Sequence, residues 1–597
     1  MSKFDPNSEK NQHNKNFSRR QFMGITGSVL GASVSAYAMG ASIFNHPPQI
    51  NHRKIESGEF TNENLITDVL VIGGGMAGLF AAVKAHDAGA KVLMVSKGRL
   101  GSSGLTPFAK GFFSYDKQNS KMSIDEFVAL VSESAIGTNN SVFTRQLAEH
   151  SYARAQELKA WGFFDSPLYN ESFMRPINER NIPLHERIMI THLVKQDNRV
   201  VGASGFSLDQ PKIVHFHAKT VILCTGSGGF KPSGFPVCDL THDGSIMAYK
   251  IGAKITGKEW NDGHPGSAQN SGSSYDNWHG QIEEKPGITG AEIHHDLGVD
   301  LNYQVYRLGG PITMGGPGRK EESTLTGGPY VPEKFRRVGM PPAPPTEGVF
   351  GGLFNTERKD RQGPPGMGGE QVGGSSAGMA IHKSEGLVPI DDTGLTTING
   401  LYAAGDALGS HMSGGIYTQI GSSLAGSAVQ GAIAGEAAAE LSSTLPILMI
   451  TEQNQKKNET EILAPLVRER GISPAWVTQV LQGIMIPNFV LYIKKERMLQ
   501  AALAYIEELR DLHVPMLMAA DLHKLRIAHE TENMIITAEM KLKASLLRKE
   551  SRCSHYRLDY PEVDRENWDA WINIWQDQKG AMQFEKQPFN MWPKFPT

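Results

Sequence analysis

Asp68-Val69-Leu70-Val71-Ile72-Gly73-Gly74-Gly75-Met76-Ala77-Gly78 is the stretch on which the fold turns. Val69 to Ile72 are apolar without alternation, as expected of a strand buried on both faces of a parallel sheet. The glycines that follow stand in G-x-G-x-x-G spacing. Gly73 permits a tight turn, Gly75 lets the backbone approach a pyrophosphate, and Gly78 lets helix and strand pack closely. Leu79 to Ala88 is alanine-rich and helix-forming, and Lys91 to Val95 makes a second strand. Strand, glycine turn, helix and strand within about thirty residues form a dinucleotide-binding unit. Met76 and Ala77 open the helix, whose N-terminus offers unpaired N–H groups and partial positive charge to phosphates. An acidic residue usually ends the second strand and holds the adenosine ribose. Ser96 stands there instead, without the charge-assisted bond, so this position leaves FAD and NAD both open.

Two later segments point to FAD. Lys219 to Gly229 reads K-T-V-I-L-C-T-G-S-G-G, a buried strand ending in the Thr225-Gly226 turn. Gly400 to Asp406 reads G-L-Y-A-A-G-D, a further strand. A Gly/Ser-rich loop and an alanine-rich helix ending near Glu440 follow, with Ser422, Ser423 and Leu424 at the helix start. Asp406 can accept from ribityl or ribose hydroxyls, and this second helix N-terminus can face the pyrophosphate.

The chain has 597 residues, too many for one core, and two or three domains are expected. Its 59 basic and 62 acidic residues give a formal charge of -3, which supplies no electrostatic footprint for nucleic acid. Only Cys224, Cys238 and Cys553 occur, and none forms a C-x-x-C pair. Iron–sulfur clusters, c-type haem and structural zinc therefore lack ligands, no metal site is expected, and no disulfide framework either. Electrons must come from a diffusible donor or another polypeptide.

The N-terminus reads as an address. Lys3, Lys10 and Lys15 precede Ser18-Arg19-Arg20-Gln21-Phe22-Met23, and a mildly apolar run extends from Gly24 to about Ser42. This matches a twin-arginine signal, whose export machinery carries folded proteins, with Ala36-Tyr37-Ala38 as a cleavage candidate. A periplasmic or otherwise exported protein, folded around its cofactor beforehand, is expected.

The chain resembles the flavoprotein subunits of succinate dehydrogenase and fumarate reductase, with L-aspartate oxidase and adenylylsulfate reductase as relatives. The resemblance rests on D-V-L-V-I-G-G-G, on Ser96-Lys97-Gly98 and on Thr241-His242-Asp243-Gly244, similar to the family's T-G-D-G. The most specific late match is Arg548-Lys549-Glu550-Ser551-Arg552-Cys553-Ser554-His555-Tyr556-Arg557-Leu558-Asp559, similar to R-K-E-S-R-G-A-H-x-R-x-D of the helical domain. It implies an α/β fold: a Rossmann-like FAD-binding domain interrupted by an α+β capping domain, then a C-terminal helical domain. The outline places a signal peptide at 1–42, a linker at 43–63 and FAD-binding parts at 64–258 and 378–445. The cap takes 259–377, the helical domain 455–560, and 561–597 is a Trp-, Phe- and Pro-rich tail expected along the surface. Lys97, Ser103, Gly104 and Asp243 join the cofactor candidates. Gly104 falls near where membrane-complex members carry the histidine that bonds the flavin, so FAD is expected without a covalent link.

The resemblance also locates the chemistry. His264, in Glu259-Trp260-Asn261-Asp262-Gly263-His264-Pro265, follows Gly252-Ala253 at the spacing of the family's H-P-T segment. His382 stands ahead of Gly400 at the spacing of the second substrate-site histidine. Either can donate a hydrogen bond to a carbonyl or carboxylate, or move a proton near neutral pH. The family's carboxylate-clamping arginine is missing: Gly414 to Ser423 reads G-G-I-Y-T-Q-I-G-S-S, and no arginine occurs between Arg361 and Arg468. For the capping-domain arginine, Arg307, Arg336, Arg337, Arg358 and Arg361 are candidates and none matches the family segment. Losing a bidentate charge-assisted pair is not conservative. Tyr417, Thr418 and Gln419 then line the pocket, and a substrate other than free fumarate or succinate is expected. The leading reading is an oxidoreductase moving a hydride between flavin N5 and a small molecule. The alternatives are an electron-transfer subunit beside an iron–sulfur or cytochrome partner, and a flavin-binding module without turnover.

Overall fold

The computed structural model describes residues 59–108, 111–118, 122–165, 169–231, 239–260, 266–267, 283–284, 371–372, 380–381, 386–409, 411–415, 421–486, 488–491, 493–553 and 555–591. The twin-arginine segment, most of the expected cap, His264, His382 and Tyr417 lie outside them.

The first strand, β1 (Thr61–Ile72), leads into helix α1 (Met76–Asp87) and strand β2 (Val92–Ser96). Helices α2 (Ile124–Ser134), α3 (Ser141–Ala160) and α4 (Tyr169–Glu179) follow. Strands β3 (Leu184–Glu186), β4 (Ile188–Gln196), β5 (Arg199–Ser207) and β6 (Lys212–Leu223) complete the first half of the sheet. Helix α5 (Asp243–Lys250), short strands β7 (Ile255–Thr256) and β8 (Gly386–Leu387), then β9 (Leu401–Ala403) come next.

β1 runs eight residues further back than its apolar core, and so takes Thr61 to Glu63 out of the expected linker. The reason is pairing. Thr61 to Thr67 lie parallel to Lys212–Ala218 of β6, and Thr61, Asn62 and Asn64 are exposed there, so hydrophobicity does not mark this half. The sheet has seven strands in the order β3-β2-β1-β6-β5-β4, with β9 also on β6. The first part of β6 pairs antiparallel with β5 and its last residues pair parallel with β9. The parallel strands β2, β1, β6 and β9 thus end together, where ligands bind in open α/β sheets.

One face of this sheet is closed by a helix pair. α6 (Ser422–Thr444) crosses α1 so tightly that a Cβ on Gly431 would stand 2.3 Å from the Ala77 carbonyl oxygen. A Cβ on Gly435 would stand 2.5 Å from that of Ala81. The C-terminal helices are α7 (Glu452–Val467), α8 (Pro474–Met485), α9 (Glu496–Glu508) and α10 (Leu522–Leu547). α8, α9 and α10 share a core of Val477, Leu481, Leu499, Ile506, Ile535 and Leu542, while α7 packs Ile462, Leu463 and Leu466 against Leu522 and Leu525 of α10 in a separate cluster.

Residues 570–588 are not a surface tail. β10 (Ala570–Gln576) and β11 (Met582–Pro588) make a hairpin whose first strand pairs with β7, giving a four-stranded sheet with β8. Trp571, Ile572 and Ile574 are buried there, because their apolar area is covered on both faces. Among the described residues no helix is long and apolar enough to cross a membrane.

Candidate functional site

The carboxyl ends of β1, β2 and β6, with the residues just after β9, open on one cleft of about 980 Å³, its mouth included. Gly73, Gly75, Met76, Ala77, Ser96, Lys97, Ser103, Gly104, Thr225, Gly226, Asp243, Asp406, Ser423 and Leu424 all line it. Three separated stretches of sequence therefore meet in space as the motif order requires. Gly78 and Ser422 do not line the cleft. Gly78 lies behind it, where an added Cβ would come within 1.9 Å of the Gly73 carbonyl oxygen. Ser422 is buried at the first turn of α6.

The glycines divide their work. Gly73 has φ +124°, and a Cβ on it would stand 2.1 Å from the Cys224 carbonyl oxygen, so the turn itself excludes any side chain. Around Gly75 the nearest atom to an added Cβ is Thr106 Oγ1 at 3.4 Å. No protein atom crowds that position, and the space beyond is the cleft. The first turn of α1 receives no side-chain cap at Gly75, and that of α6 none at Gly421. Two helix N-termini therefore turn backbone donors toward the same space, although the Met76 N–H is used by Thr106 Oγ1 at 3.2 Å.

Thr225 supplies a direct sign of an occupant. Its hydroxyl lines the cleft, is shielded from solvent and has no hydrogen-bond partner in the protein. A buried hydroxyl without a partner costs roughly 1–3 kcal/mol, and a polar ligand in the cleft removes that cost. Donors from helix termini, a glycine cradle, and hydroxyls beside the Asp243 and Asp406 carboxylates fit a dinucleotide with its phosphates and polyols.

Several lining residues carry no motif. Ser427 follows Ser423 by one helical turn and could have been found from that spacing. Ile188 and Ile190 come from antiparallel β4, and Asp239 and Met247 flank the Asp243 turn. Cys224 also lines the wall. Burial pushes its thiol well above the usual range, so it stays protonated.

Asp243 is the most constrained acid of the cleft. Burial alone would raise it, but the Lys97 ammonium at 2.5 Å outweighs that and holds the carboxyl below its ordinary range. Thr241 Oγ1 and Asn533 Nδ2 each donate to its other oxygen at 2.8 Å.

The late motif does not line the cleft. Arg548 is fully buried and donates to Glu259 Oε1 at 2.9 Å and to Glu550 Oε1 at 2.7 Å. Arg552 binds both oxygens of Glu550, at 2.8 and 3.0 Å. Lys541 Nζ caps the carbonyls of Lys258 and Trp260 at 2.8 and 2.9 Å. His555, beside Lys494 Nζ at 3.0 Å, is held neutral by burial and by the surrounding cations. These groups fix Lys258 to Trp260, where the chain leaves for the segment containing His264. On the other side, Asn140 N–H donates to the His411 carbonyl at 2.6 Å and Thr144 Oγ1 to that of Met412 at 2.6 Å. Thr138 Oγ1 accepts from Gly415 N–H at 2.8 Å. This pins the loop just ahead of Tyr417. Among the described residues no cluster of His, Cys, Asp and Glu could hold a metal ion.

A cleft with these glycines, helix termini and acids, on this sheet, defines an FAD-dependent oxidoreductase. The FAD dependent oxidoreductase family matches residues 68–232, and the fumarate reductase flavoprotein C-terminal family matches residues 478–596. The chain is 27% identical to a fumarate reductase (CoM/CoB) subunit of Methanothermobacter marburgensis, over 85% of this chain and 96% of that one. It is 25% identical to an uncharacterized FAD-dependent oxidoreductase of Methanocaldococcus jannaschii, over 89% and 99%. Its fold matches the E. coli quinol fumarate reductase flavoprotein with a TM-score of 0.67 at 19% identity, covering 88% and 97% of the two chains. Adenylylsulfate reductase of Archaeoglobus fulgidus matches with a TM-score of 0.65 at 20% identity, covering 92% and 99%. Along most of its length the chain is therefore similar to fumarate reductase flavoprotein subunits, and its cofactor is FAD.

Proposed function

We propose that this chain transfers a hydride between FAD and a small organic substrate other than free fumarate or succinate. The sequence between Arg361 and Arg468 carries the reading, because it contains no arginine and offers Tyr417, Thr418 and Gln419 in the loop where relatives clamp a carboxylate. Neutral hydrogen-bonding groups favour an uncharged or differently oriented substrate. The name of the methanogen relative points toward fumarate, and the missing cation points away from it.

When bound, FAD supplies the two-electron centre at N5. The chain's own part begins with Gly73, Gly75, Thr225, Gly226 and the α1 and α6 N-termini, which hold the pyrophosphate and neighbouring hydroxyls. Asp243 and Asp406 accept from ribose or ribityl hydroxyls. His264 or His382 moves the substrate proton, and Tyr417 orients the substrate. With glycine at position 104 the cofactor is held without a covalent bond, so acid precipitation should release all the flavin into the supernatant. Purified protein, reduced by an artificial donor, should be reoxidised by an enoate, quinone or keto compound and only poorly by fumarate. Efficient fumarate turnover would end this reading.

Work within a complex, beside an iron–sulfur or cytochrome carrier, is a second reading. It is favoured by the relatives' names, which describe fumarate reductase subunits, and by the shortage of cluster ligands here. A cysteine-rich chain copurifying from the native source would support it, and full turnover by the isolated chain with a physiological donor would remove the need for it. Export by the twin-arginine route completes the proposal. Replacing both Arg19 and Arg20 by lysine should leave folded, yellow protein in the cytoplasm.

A further inference from the structure

The C-terminal helical domain reaches the cleft wall through one carboxylate. Glu530 lies on α10 with its side chain fully buried. One oxygen accepts from Lys97 Nζ at 2.9 Å and the other from Lys231. Lys97 lines the cleft and gives its ammonium also to Asp243 Oδ2 at 2.5 Å and Thr241 Oγ1 at 3.3 Å. Asn533, almost one turn beyond Glu530 on the same helix, holds the other oxygen of Asp243 at 2.8 Å.

A lysine at the end of the second strand invites reading as a counter-ion for phosphate. The geometry argues otherwise. Its ammonium is already flanked by Asp243 and Glu530, with Asp239 also acting on it, and these carboxylates hold its charge firmly against the desolvation of burial. Lys97 therefore works as a strut between Glu530 and Asp243. With Glu530 neutral, Lys97 keeps Asp243 as its close carboxylate but loses its charged anchor on α10, so the cation that aims Asp243 is no longer fixed from the helical domain, and Lys231 loses its carboxylate.

We propose that Glu530 is a positioning residue for FAD, setting Asp243 through Lys97, so that cofactor occupancy and docking of the helical domain are coupled. This rests on the reading of the cleft as the FAD site and adds to it a cofactor determinant outside the FAD-binding domain. The competing view is a buried ion pair that merely holds the fold.

The test is FAD affinity, measured by flavin-fluorescence quenching on apoprotein of wild type, E530Q, K97M and the double variant, with circular dichroism checking the fold. Each single variant should weaken FAD by about tenfold or more, the size usual when a group that orients a ligand-binding side chain is lost. The double variant should be no weaker than the worse single one, because the pair acts as a unit. E530D keeps the charge on a shorter arm and should bind FAD better than E530Q; it also serves if E530Q does not fold. Wild-type affinity in the folded variants, or losses that simply add, would overturn the proposal. Wild-type protein that takes up no FAD at all would instead overturn the reading of the cleft.

Discussion

Replacing Arg548 by methionine should destabilise the protein by about 4 kcal/mol, and replacing Glu259 by glutamine by far less. Arg548 is wholly buried and makes four hydrogen bonds: to Glu259 at 2.9 Å, Glu550 at 2.7 Å, and the carbonyls of Trp568 at 3.1 Å and Ala570 at 2.5 Å. Its guanidinium also lies 4.5 Å from the centre of the Trp260 ring. Methionine preserves much of the volume and removes every donor. Breaking a buried pair from one side costs roughly 3–5 kcal/mol, because the partner charge is left uncompensated. Two carbonyls also lose a donor, at roughly 1–3 kcal/mol each where no water replaces it. Protonation limits the total. Burial already lifts the Glu259 carboxyl above its usual range, so it can shed its charge once Arg548 is gone. Glu259 itself contributes less, since its Oε2 has no hydrogen-bond partner, and E259Q removes a desolvated charge while keeping an acceptor toward Arg548. Urea unfolding at neutral pH, followed by tryptophan fluorescence, measures both, with midpoints compared because a chain of several domains need not unfold in two states. An R548M loss below about 1 kcal/mol, or an E259Q loss equal to it, would refute the buried-pair argument.

The glycine cradle makes a paired prediction. G75A should fold like wild type and lose FAD affinity, since its nearest protein atom would be 3.4 Å from the new Cβ, while G73A should lose the turn itself at 2.1 Å from the Cys224 oxygen. Equal FAD affinity for G75A and wild type would place the pyrophosphate elsewhere. Acid should destabilise the protein through buried histidines. Burial holds His411 and His529 at about 4, below the usual 6.5, so the stability they contribute is complete above pH 6.5 and is lost as pH falls toward 4. Each is worth about 3 kcal/mol at neutral pH, and H529Q, which keeps a donor for the Ile462 carbonyl, should flatten the acid limb of the urea midpoint against pH. An unchanged limb would show that His529 titrates normally. Cys553 occupies the motif position where the family has glycine, at φ +50°. C553G should relieve about 1–2 kcal/mol of left-handed strain and lose about as much sulfur burial, leaving the urea midpoint nearly unchanged. A large change in either direction would show that one of these two effects dominates.

Legibility in the sequence followed the origin of each constraint. Val69 to Ile72 and the three glycines of the first turn answer to local backbone geometry, so they could be read directly, and so could the turns at Thr225-Gly226 and Asp406. Thr61 to Thr67 could not, because a strand held by β6 on one side and by solvent on the other carries no apolar run. The hairpin at Ala570–Pro588 was hidden for the opposite reason. Ala570 to Ile574 are all buried, polar Asn573 included, so the alternation that marks a half-exposed strand is missing. Glu530 and Asn533 look like the solvated face of an amphipathic helix, yet α10 is buried nearly all round, and its polar residues meet the cleft wall and the Glu259 segment. Only tertiary placement tells a solvated carboxylate from a buried strut.

That placement explains how one scaffold can keep its flavin while its substrate changes. The cofactor side is built from backbone: a glycine at +124°, two helix N-termini and a seam between α1 and α6 too close for side chains. A substitution there disturbs the sheet and the helix pair together. In the function proposed above, the substrate side draws on the two segments that leave Trp260 and Gly415. Both are tied at their roots by Arg548, Lys541 and Thr138 rather than by the cleft. Exchanging a clamping arginine for Tyr417 or Gln419 leaves every one of those ties in place. Change in substrate therefore costs the fold little and change in cofactor costs it much, which is why the glycines and acids of this chain name its cofactor.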